Sequence, residues 1–255
     1  MKLQNKKKIY FASDNHLGAP SNDISRVREK KFVNWLDFIK KDASSIFLLG
    51  DLFDFWFEYK TVVPKGFTRV LGKLAEISDS GIKINFFVGN HDLWMRDYFQ
   101  KELGIEVHHK PLTTQINESK FFLAHGDGLG PGDHGYKLMK KVFINPLSKW
   151  IFSWIHPDIG MSLGKYLSQK NKLISGDKNV EFLGEQKEPL VVFSRAKLKE
   201  QHFDYLIFGH RHIPIEIPLN EKANYINLGD WFKSYTYGVF DGKKFELKVW
   251  NNLND

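Results

Sequence analysis

The sequence predicts an α/β protein: a two-sheet β-sandwich flanked by helices, with a helical cap inserted late in the chain. Three observations predict it. Short apolar runs alternate with amphipathic stretches through the first half, the rhythm of strands and helices in layered folds. A second series of apolar runs follows near the end with little helical pattern between its members, which implies a second sheet with antiparallel pairs. Two sheets face to face, with helices outside, would also bury the 22 Phe residues.

The elements follow in order. Residues 9–13 read as the first core strand and end in Asp14-Asn15-His16. Over 28–41 the apolar residues Phe32, Val33, Trp35, Leu36 and Ile39 are spaced for a helix with one buried face. The apolar run 46–49 is the second strand and stops abruptly at Gly50-Asp51, as buried parallel strands do. A second helix spans 67–78 and stops near Gly81. A third strand, 84–88, runs into Gly89-Asn90-His91-Asp92, and a short helix follows over 95–103. Strands are expected at 107, 113–116 and 121–124, the last ending in His125-Gly126-Asp127. The late series is 205–208, 225–228, 237–240 and 245–249. Between His125 and Gly209 the rhythm breaks, and 136–170 has a helical pattern that Pro146 divides into two helices. Residues 1–135 and 173–255 are thus expected to form the core, and 136–172 the inserted cap.

Composition bounds the function. With 255 residues, 42% hydrophobic and 26% charged, the chain can bury one sizeable core, so one large domain with an insertion fits better than two equal ones. No cysteine is present, which excludes disulfides and thiolate metal sites and leaves His, Asp, Asn or Glu to hold any metal. That usage fits a reducing compartment such as the cytoplasm. The basic residues 1–8 precede an apolar run too short for a signal peptide. No stretch reaches the roughly 18 apolar residues of a membrane span. A net charge of +7 points to an anionic partner: nucleic acid, a phosphate-bearing substrate or an anionic membrane surface. The basic residues are scattered and the aromatics lie in the cap and core, so no nucleic-acid partner is expected.

Nearly every chemistry-bearing residue directly follows an apolar strand: Asp14 and His16, Asp51, Asn90 and His91, His125, then His210 and His212. Strand ends gather along a sheet edge, where open α/β folds place ligands. One histidine at one strand end is ordinarily a packed or surface residue, but random placement does not put ligand types at five. Asp51 on such an edge is costly to bury without a cation. Imidazole, carboxylate and an Asn carbonyl suit Mn, Fe, Zn or Mg. Asp-x-His and His-x-His in extended chain set two side chains on the same side. Two such ions about 3.5–4 Å apart can clamp the attacking and leaving oxygens of a phosphoryl transfer and activate a water.

Asp14-Asn15-His16, Gly50-Asp51, Gly89-Asn90-His91-Asp92, His125-Gly126-Asp127 and Gly209-His210-Arg211-His212 resemble the five blocks of calcineurin-like metallophosphoesterases, in order and across most of the chain. The resemblance implies the αββα fold of that family and two divalent ions, with Mn2+ expected. Asp14, His16, Asp51 and His212 would hold one; Asp51, Asn90, His125 and His210 would hold the other. His91 matches the position that stabilises or protonates the leaving oxygen, so Asp51, His91 and His210 are the expected catalytic set.

A closer resemblance lies inside the family. Gly50-Asp51-Leu52-Phe53-Asp54-Phe55-Trp56, His125-Gly126-Asp127-Gly128-Leu129, the following Asp133 and Tyr136, and the helical insertion are similar to the UDP-2,3-diacylglucosamine pyrophosphatases of lipid A synthesis. That group cleaves a pyrophosphate by water attack on the α-phosphorus, releasing UMP and 2,3-diacylglucosamine 1-phosphate. A cytoplasmic protein bound peripherally to the inner membrane is implied. The best-known members carry Arg where this chain has His91 and differ at Asn15; His91 restores the wider family's pattern. The alternative substrate is another phosphate ester or nucleotide.

In the cap, Leu, Ile, Phe and Trp are interleaved with Lys137, Lys140, Lys141, Lys149 and Lys165. That pattern suits interfacial helices and equally an ordinary hairpin packed on the sandwich; the resemblance favours lipid binding, with acyl chains in an apolar slot and the diphosphate near the metals. Asn90, His91, Asp133, Tyr136, Ser168, Asn171, Lys172 and His210 are the expected substrate contacts. Arg211 could face solvent or phosphate. Asp127 is expected to orient a metal ligand. Asp54 and Glu58 read as helix N-terminal acids, and Asp92 as the cap of a helix beginning near Leu93.

Overall fold

A computed structural model describes residues 2, 3, 6–175 and 181–251, with side chains omitted for 169–175. The first half lays down β1 (Lys8–Ala12), α1 (Asn22–Ile39), β2 (Ala43–Leu48), α2 (Thr68–Asp79), β3 (Lys83–Phe87), α3 (Tyr98–Leu103) and β4 (Glu106–His108). Here β1, β2, β3 and β4 are mutually parallel, each reached by a helical crossover or loop. β5 (Leu112–Ile116) and β6 (Ser119–Ala124) then form a hairpin that starts the second sheet. Three helices follow, α4 (His134–Ile144), α5 (Pro146–Ser153) and α6 (Pro157–Ser175), then α7 (Pro189–Glu200). The chain finishes with β7 (Tyr205–Phe208), β8 (Pro214–Pro218), β9 (Asn224–Leu228), β10 (Thr236–Phe240) and β11 (Phe245–Val249).

The sheets run β11-β10-β1-β2-β3-β4 and β5-β6-β7-β9-β8. Side-chain alternation divides three cores between them. Ile9, Phe11, Phe47, Leu49 and Phe87 of the first sheet meet Phe121, Leu123, Ile207, Ile226 and Leu228 of the second. The opposite faces of the same strands turn outward. Tyr10, Ile46, Leu48 and Phe86 pack with Phe32, Trp35, Leu74 and Phe99 of α1, α2 and α3, and Phe122, Leu206, Phe208 and Tyr225 pack with Leu190 and Val191 of α7. The layers are therefore helix, sheet, sheet, helix. Each fully buried Phe adds about 1.5–3 kcal/mol, so the phenylalanine-rich inner core clamps the two sheet edges together.

Three expectations change. The late strands do not make one sheet: β7 and β9 run parallel to β6 in the second sheet, whereas β10 returns to pair antiparallel with β1 and brings β11 with it. The cap region forms three helices, because Pro157 opens another where its missing N–H costs nothing. Two elements escape the pattern altogether. β8 is an edge strand with proline at both ends, tolerable only because an edge needs fewer N–H donors, and α7 has a weakly amphipathic sequence around its buried Leu190, Val191 and Ser194.

Candidate active site

Five loops leave the carboxyl ends of β1, β2, β3, β6 and β7 and converge. Asp14, His16, Asp51, His210 and His212 all have φ between 45° and 70°, a left-handed conformation that non-glycine residues adopt rarely and mostly as Asp, Asn or His. Such backbone persists only where surroundings hold it. Asp14 N donates to Gly50 O at 3.1 Å, His16 N to Asp51 O at 2.9 Å and Trp231 N to Asp14 O at 3.1 Å. The Arg28 guanidinium, buried on the inner face of α1, donates to the carbonyls of Asn15 and His16, both at 2.9 Å. Glycine next to the ligand residues permits close approach: a Cβ on Gly89 would strike the Asp51 carboxylate, and one on Gly209 the Asp14 carboxylate.

The convergence has two halves. On one side Asp14 Oδ1 lies 3.1 Å from His212 Nε2 and 3.8 Å from His16 Nε2, and the two histidine Nε2 atoms face each other at 3.1 Å. On the other, Asn90 Oδ1 lies 3.1 Å from His125 Nε2 and 2.9 Å from His210 Nδ1. Asp51 joins them, its Oδ2 3.4 Å from His125 Nε2 and 3.8 Å from His16 Nε2, while its Oδ1 accepts from His91 N at 2.8 Å.

These residues fit a pair of divalent cations. His125 Nδ1 stands 2.7 Å from the carbonyl of Leu49, which can only accept; Nδ1 therefore keeps its proton, and Nε2, which faces the oxygens of Asp51 and Asn90, is the nitrogen that would offer a lone pair to a cation once its own proton is lost. Buried Asp14 Oδ1 takes no aligned hydrogen bond. Lone pairs converging in this way repel one another unless positive charge lies between them. The titration shifts tell the same story. Burial opposes charge on His125, yet the carboxylates of Asp51, Asp14 and Asp127 hold its imidazolium well above the usual histidine range. Burial likewise opposes charge on Asp51, and His125, His91 and His16 nevertheless hold it well below the usual carboxylate range. His210 is pushed down to about 4 by burial and by His125, which keeps it a neutral ligand.

Beneath the cap a cleft of about 590 Å³ opens from this centre. Its polar lining comes from Asp51, Asn90, His91, His210 and His212, with Asp133, Tyr136 and Ser168 on the cap side. Phe55, Trp94, Met139, Phe143, Phe152 and Leu167 supply apolar lining, and the four aromatic rings among them contact one another. Asp127 accepts from the Tyr136 hydroxyl and from Lys140 Nζ. Burial and the Asp127 charge raise the Tyr136 hydroxyl far above its usual range, so it stays a donor. Every sequence-predicted site residue whose side chain is described lies at this centre or along this cleft; the side chains of Asn171 and Lys172 lie outside the described residues.

A profile for the calcineurin-like phosphoesterase family matches residues 7–214. The chain belongs to this family. As a calcineurin-like phosphoesterase it is a hydrolase, of a family that uses divalent metals, and the ligand types gathered here are of that kind. It is 38% identical over 97% of its length, and 99% of the relative's, to UDP-2,3-diacylglucosamine hydrolase of Porphyromonas gingivalis. It is 30% identical to the protein of the same name from Ectopseudomonas mendocina, covering 93% of this chain and 96% of that one. Among solved structures, Vps29 of Chaetomium thermophilum aligns with 94% of this phosphoesterase and 85% of its own chain at a TM-score of 0.46 and 12% identity.

Several neighbours of the centre differ from their sequence reading. Asp54 is on no helix: it is buried, with Oδ1 3.6 Å from His16 Nδ1 and Oδ2 accepting from Ser168 Oγ. Glu58 does serve a helix terminus, but that of distant α3, taking the N–H groups of Asp97 and Tyr98. Asp92 caps no helix and instead accepts from Gly89 N and Leu52 N, tying the β3 loop to the β2 loop. Arg211 turns away from the cleft to Glu188 at the start of α7, 2.6 Å away. Arg28 and Asn227, whose Nδ2 supports the Gly209 carbonyl, went unread. Arg28 did carry a signal, a cation in line with Phe32, Trp35 and Ile39 on the apolar face of α1.

Proposed function

We propose that this phosphoesterase hydrolyses the pyrophosphate of UDP-2,3-diacylglucosamine. Water adds to the α-phosphorus, the bridging oxygen leaves with the sugar phosphate, and the products are UMP and 2,3-diacylglucosamine 1-phosphate. The observation that carries the reading is the cleft, whose lining combines the ligand-type cluster with a second cluster of aromatic rings, Phe55, Trp94, Phe143 and Phe152, packed on one another. A diphosphate attached to two acyl chains combines the same two chemistries. The names of the curated relatives support it.

In this reading Asp14, His16, Asp51 and His212 hold one ion and Asp51, Asn90, His125 and His210 the other, with Mn2+ as the metal. When bound, the ions supply Lewis acidity to the water and the phosphoryl oxygens. The chain's own groups do the rest. His91 Nδ1 is hydrogen-bonded to the Asp54 carbonyl at 2.8 Å, which leaves Nε2 to meet the leaving or phosphoryl oxygen. Asn90 and His210 border the phosphate position, Asp133, Tyr136 and Ser168 the sugar, with Asn171 and Lys172 further along α6. Residues 136–172 act as a cap on the core formed by 1–135 and 173–255. Its outward side exposes Leu138, Leu147, Trp150, Ile151 and Trp154 beside Lys141 and Lys165, which suits peripheral binding to the cytoplasmic face of an anionic inner membrane.

The test is turnover with Mn2+. UDP-2,3-diacylglucosamine should exceed p-nitrophenyl phosphate in kcat/KM by at least about a hundredfold, the scale of several lost pocket contacts, with UMP released. Preference for the aryl phosphate would overturn the substrate and leave a phosphoesterase of another specificity.

A further inference from the structure

Gly160, Gly164 and Ser168 recur at four-residue spacing on α6 and so share one face. That face lies on the loop following β2. A Cβ on Gly164 would run into the Phe55 ring, and one on Gly160 into the Tyr59 hydroxyl. Without those carbons α6 comes close enough for Ser168 to reach past the cleft wall. Its buried Oγ donates to Asp54 Oδ2 at 2.9 Å and lies 3.2 Å from His91 Nδ1. His91 Nδ1 is at the same time 2.8 Å from the Asp54 carbonyl. A carbonyl only accepts, so Nδ1 carries the proton and the ring is locked in one tautomer. The other Asp54 oxygen, Oδ1, is 3.6 Å from Nδ1 of His16. One cap hydroxyl therefore braces both an imidazole that faces the substrate and a carboxylate that backs a metal-ligand histidine. The opposite flank is built alike: Tyr136 and Lys140 of α4 reach Asp127, beside His125 and His210.

We propose that Ser168 is a positioning residue of the hydrolytic reaction: it holds the His91 ring and the Asp54 carboxylate in register, so that seating of the cap is a condition of catalysis and not only of substrate capture. This rests on the chain's being a hydrolase of its family and is independent of the lipid substrate. A serine that merely touched bound substrate would contribute alike to ground and transition states and would act on KM; a serine that orients His91 acts on kcat.

The experiment uses the full chain with Ser168→Ala and Ser168→Thr, Mn2+, and bis(p-nitrophenyl) phosphate, a probe with neither nucleotide nor acyl chain. Ser168→Ala should lower kcat by about tenfold or more, the scale of losing an outer hydrogen bond to a metal site, with KM held within about twofold. Ser168→Thr, which keeps the hydroxyl, should recover most of the loss. In metal-free protein labelled with 15N-histidine, the His91 ring resonances should be sharp and alike in wild type and Ser168→Thr, and should shift or broaden in Ser168→Ala as the ring loses its second contact. An unchanged His91 spectrum in Ser168→Ala, or a raised KM with kcat intact, overturns the proposal. Should UDP-2,3-diacylglucosamine prove inert while the aryl diester is cleaved, the substrate reading falls and this one is still decided by its own readouts.

Discussion

Asp51 is the residue on which both halves of the centre depend, since its Oδ2 faces His125 and His16 and its Oδ1 fixes the backbone of His91. Asp51→Asn keeps the shape and removes the charge. Turnover should fall by at least about a hundredfold, as when a preorganised charge partner is lost, and metal titration should show weakened binding of both ions; loss of one ion alone would deny the shared position. His125 makes a pH prediction. Its metal-free folded pKa lies well above 6.5 because carboxylates surround it. That stabilisation is complete below about pH 6.5 and fades as pH rises through the raised value. His210, pushed down to about 4, has the opposite sign, but its effect is spent between pH 4 and its unfolded value; Asp92, raised to about 8 by burial and the Asp51 charge, adds to the fall up to about pH 8, and the range above that is left to His125. On the proposed ligand set, metal would take the place of the His125 proton. The metal-free protein should therefore lose melting temperature as pH rises above about 7, while metal affinity climbs and loading releases about one proton, read with an indicator dye in weak buffer. The ligand-type residues were legible because each stands directly after an apolar run. Asp54 was not: its partners, His16 and Ser168, lie 38 and 114 positions away in the chain.

At the scale of elements, the site depends on strand ends brought closer than side chains normally permit. Gly89 faces Asp51 with no room for a methyl group, the backbone N of Asp51 being 2.7 Å from where a Cβ would stand. Gly89→Ala should weaken metal binding by about 10–100-fold, the usual scale for disturbing a ligand's support, measured by isothermal titration. Gly72→Ala is the matched control. Gly72 lies inside α2 with open space around its Cβ position, so it should leave metal binding intact and raise stability by about 0.5–1 kcal/mol. An equal loss of metal affinity in both variants would mean that Gly89 acts through general packing. Strands such as β2 and β6 were easy to find as apolar runs, yet their alternation is hidden because both faces are buried. For the same reason the sheet that each late strand joins could not be read: β10 pairs with β1 more than two hundred residues away, and nothing local marks that choice. β8 was invisible because its prolines speak against a strand everywhere except at an edge.

At the scale of the whole molecule, apolar surface is distributed unevenly. The two sheets and their helices enclose most of their large hydrophobic residues, and most of the exposed ones are on α4, α5 and α6. Trp154 is 75% exposed and Trp150 58%, their rings in contact with each other. Among the described residues no helix is long and apolar enough to cross a membrane. Single exposed hydrophobics are ordinary, but so many on one insertion fit the interaction surface proposed for it, and a mixture of exposed indole and lysine is the chemistry of the headgroup layer. The cleft opens under the same helices, so an acyl-chain substrate drawn from a bilayer would enter next to the surface that touches it. Trp150→Glu/Trp154→Glu adds two negative charges and removes two anchors. Vesicles with about one third anionic lipid should then sediment the variant at least about tenfold less well, since each indole and each charge contributes on the order of 1 kcal/mol. Turnover of UDP-2,3-diacylglucosamine carried in those vesicles should fall far more than turnover of dissolved bis(p-nitrophenyl) phosphate. Equal losses on the two substrates would show that the tryptophans serve the cap's own structure, and unchanged sedimentation would remove the membrane from the account altogether.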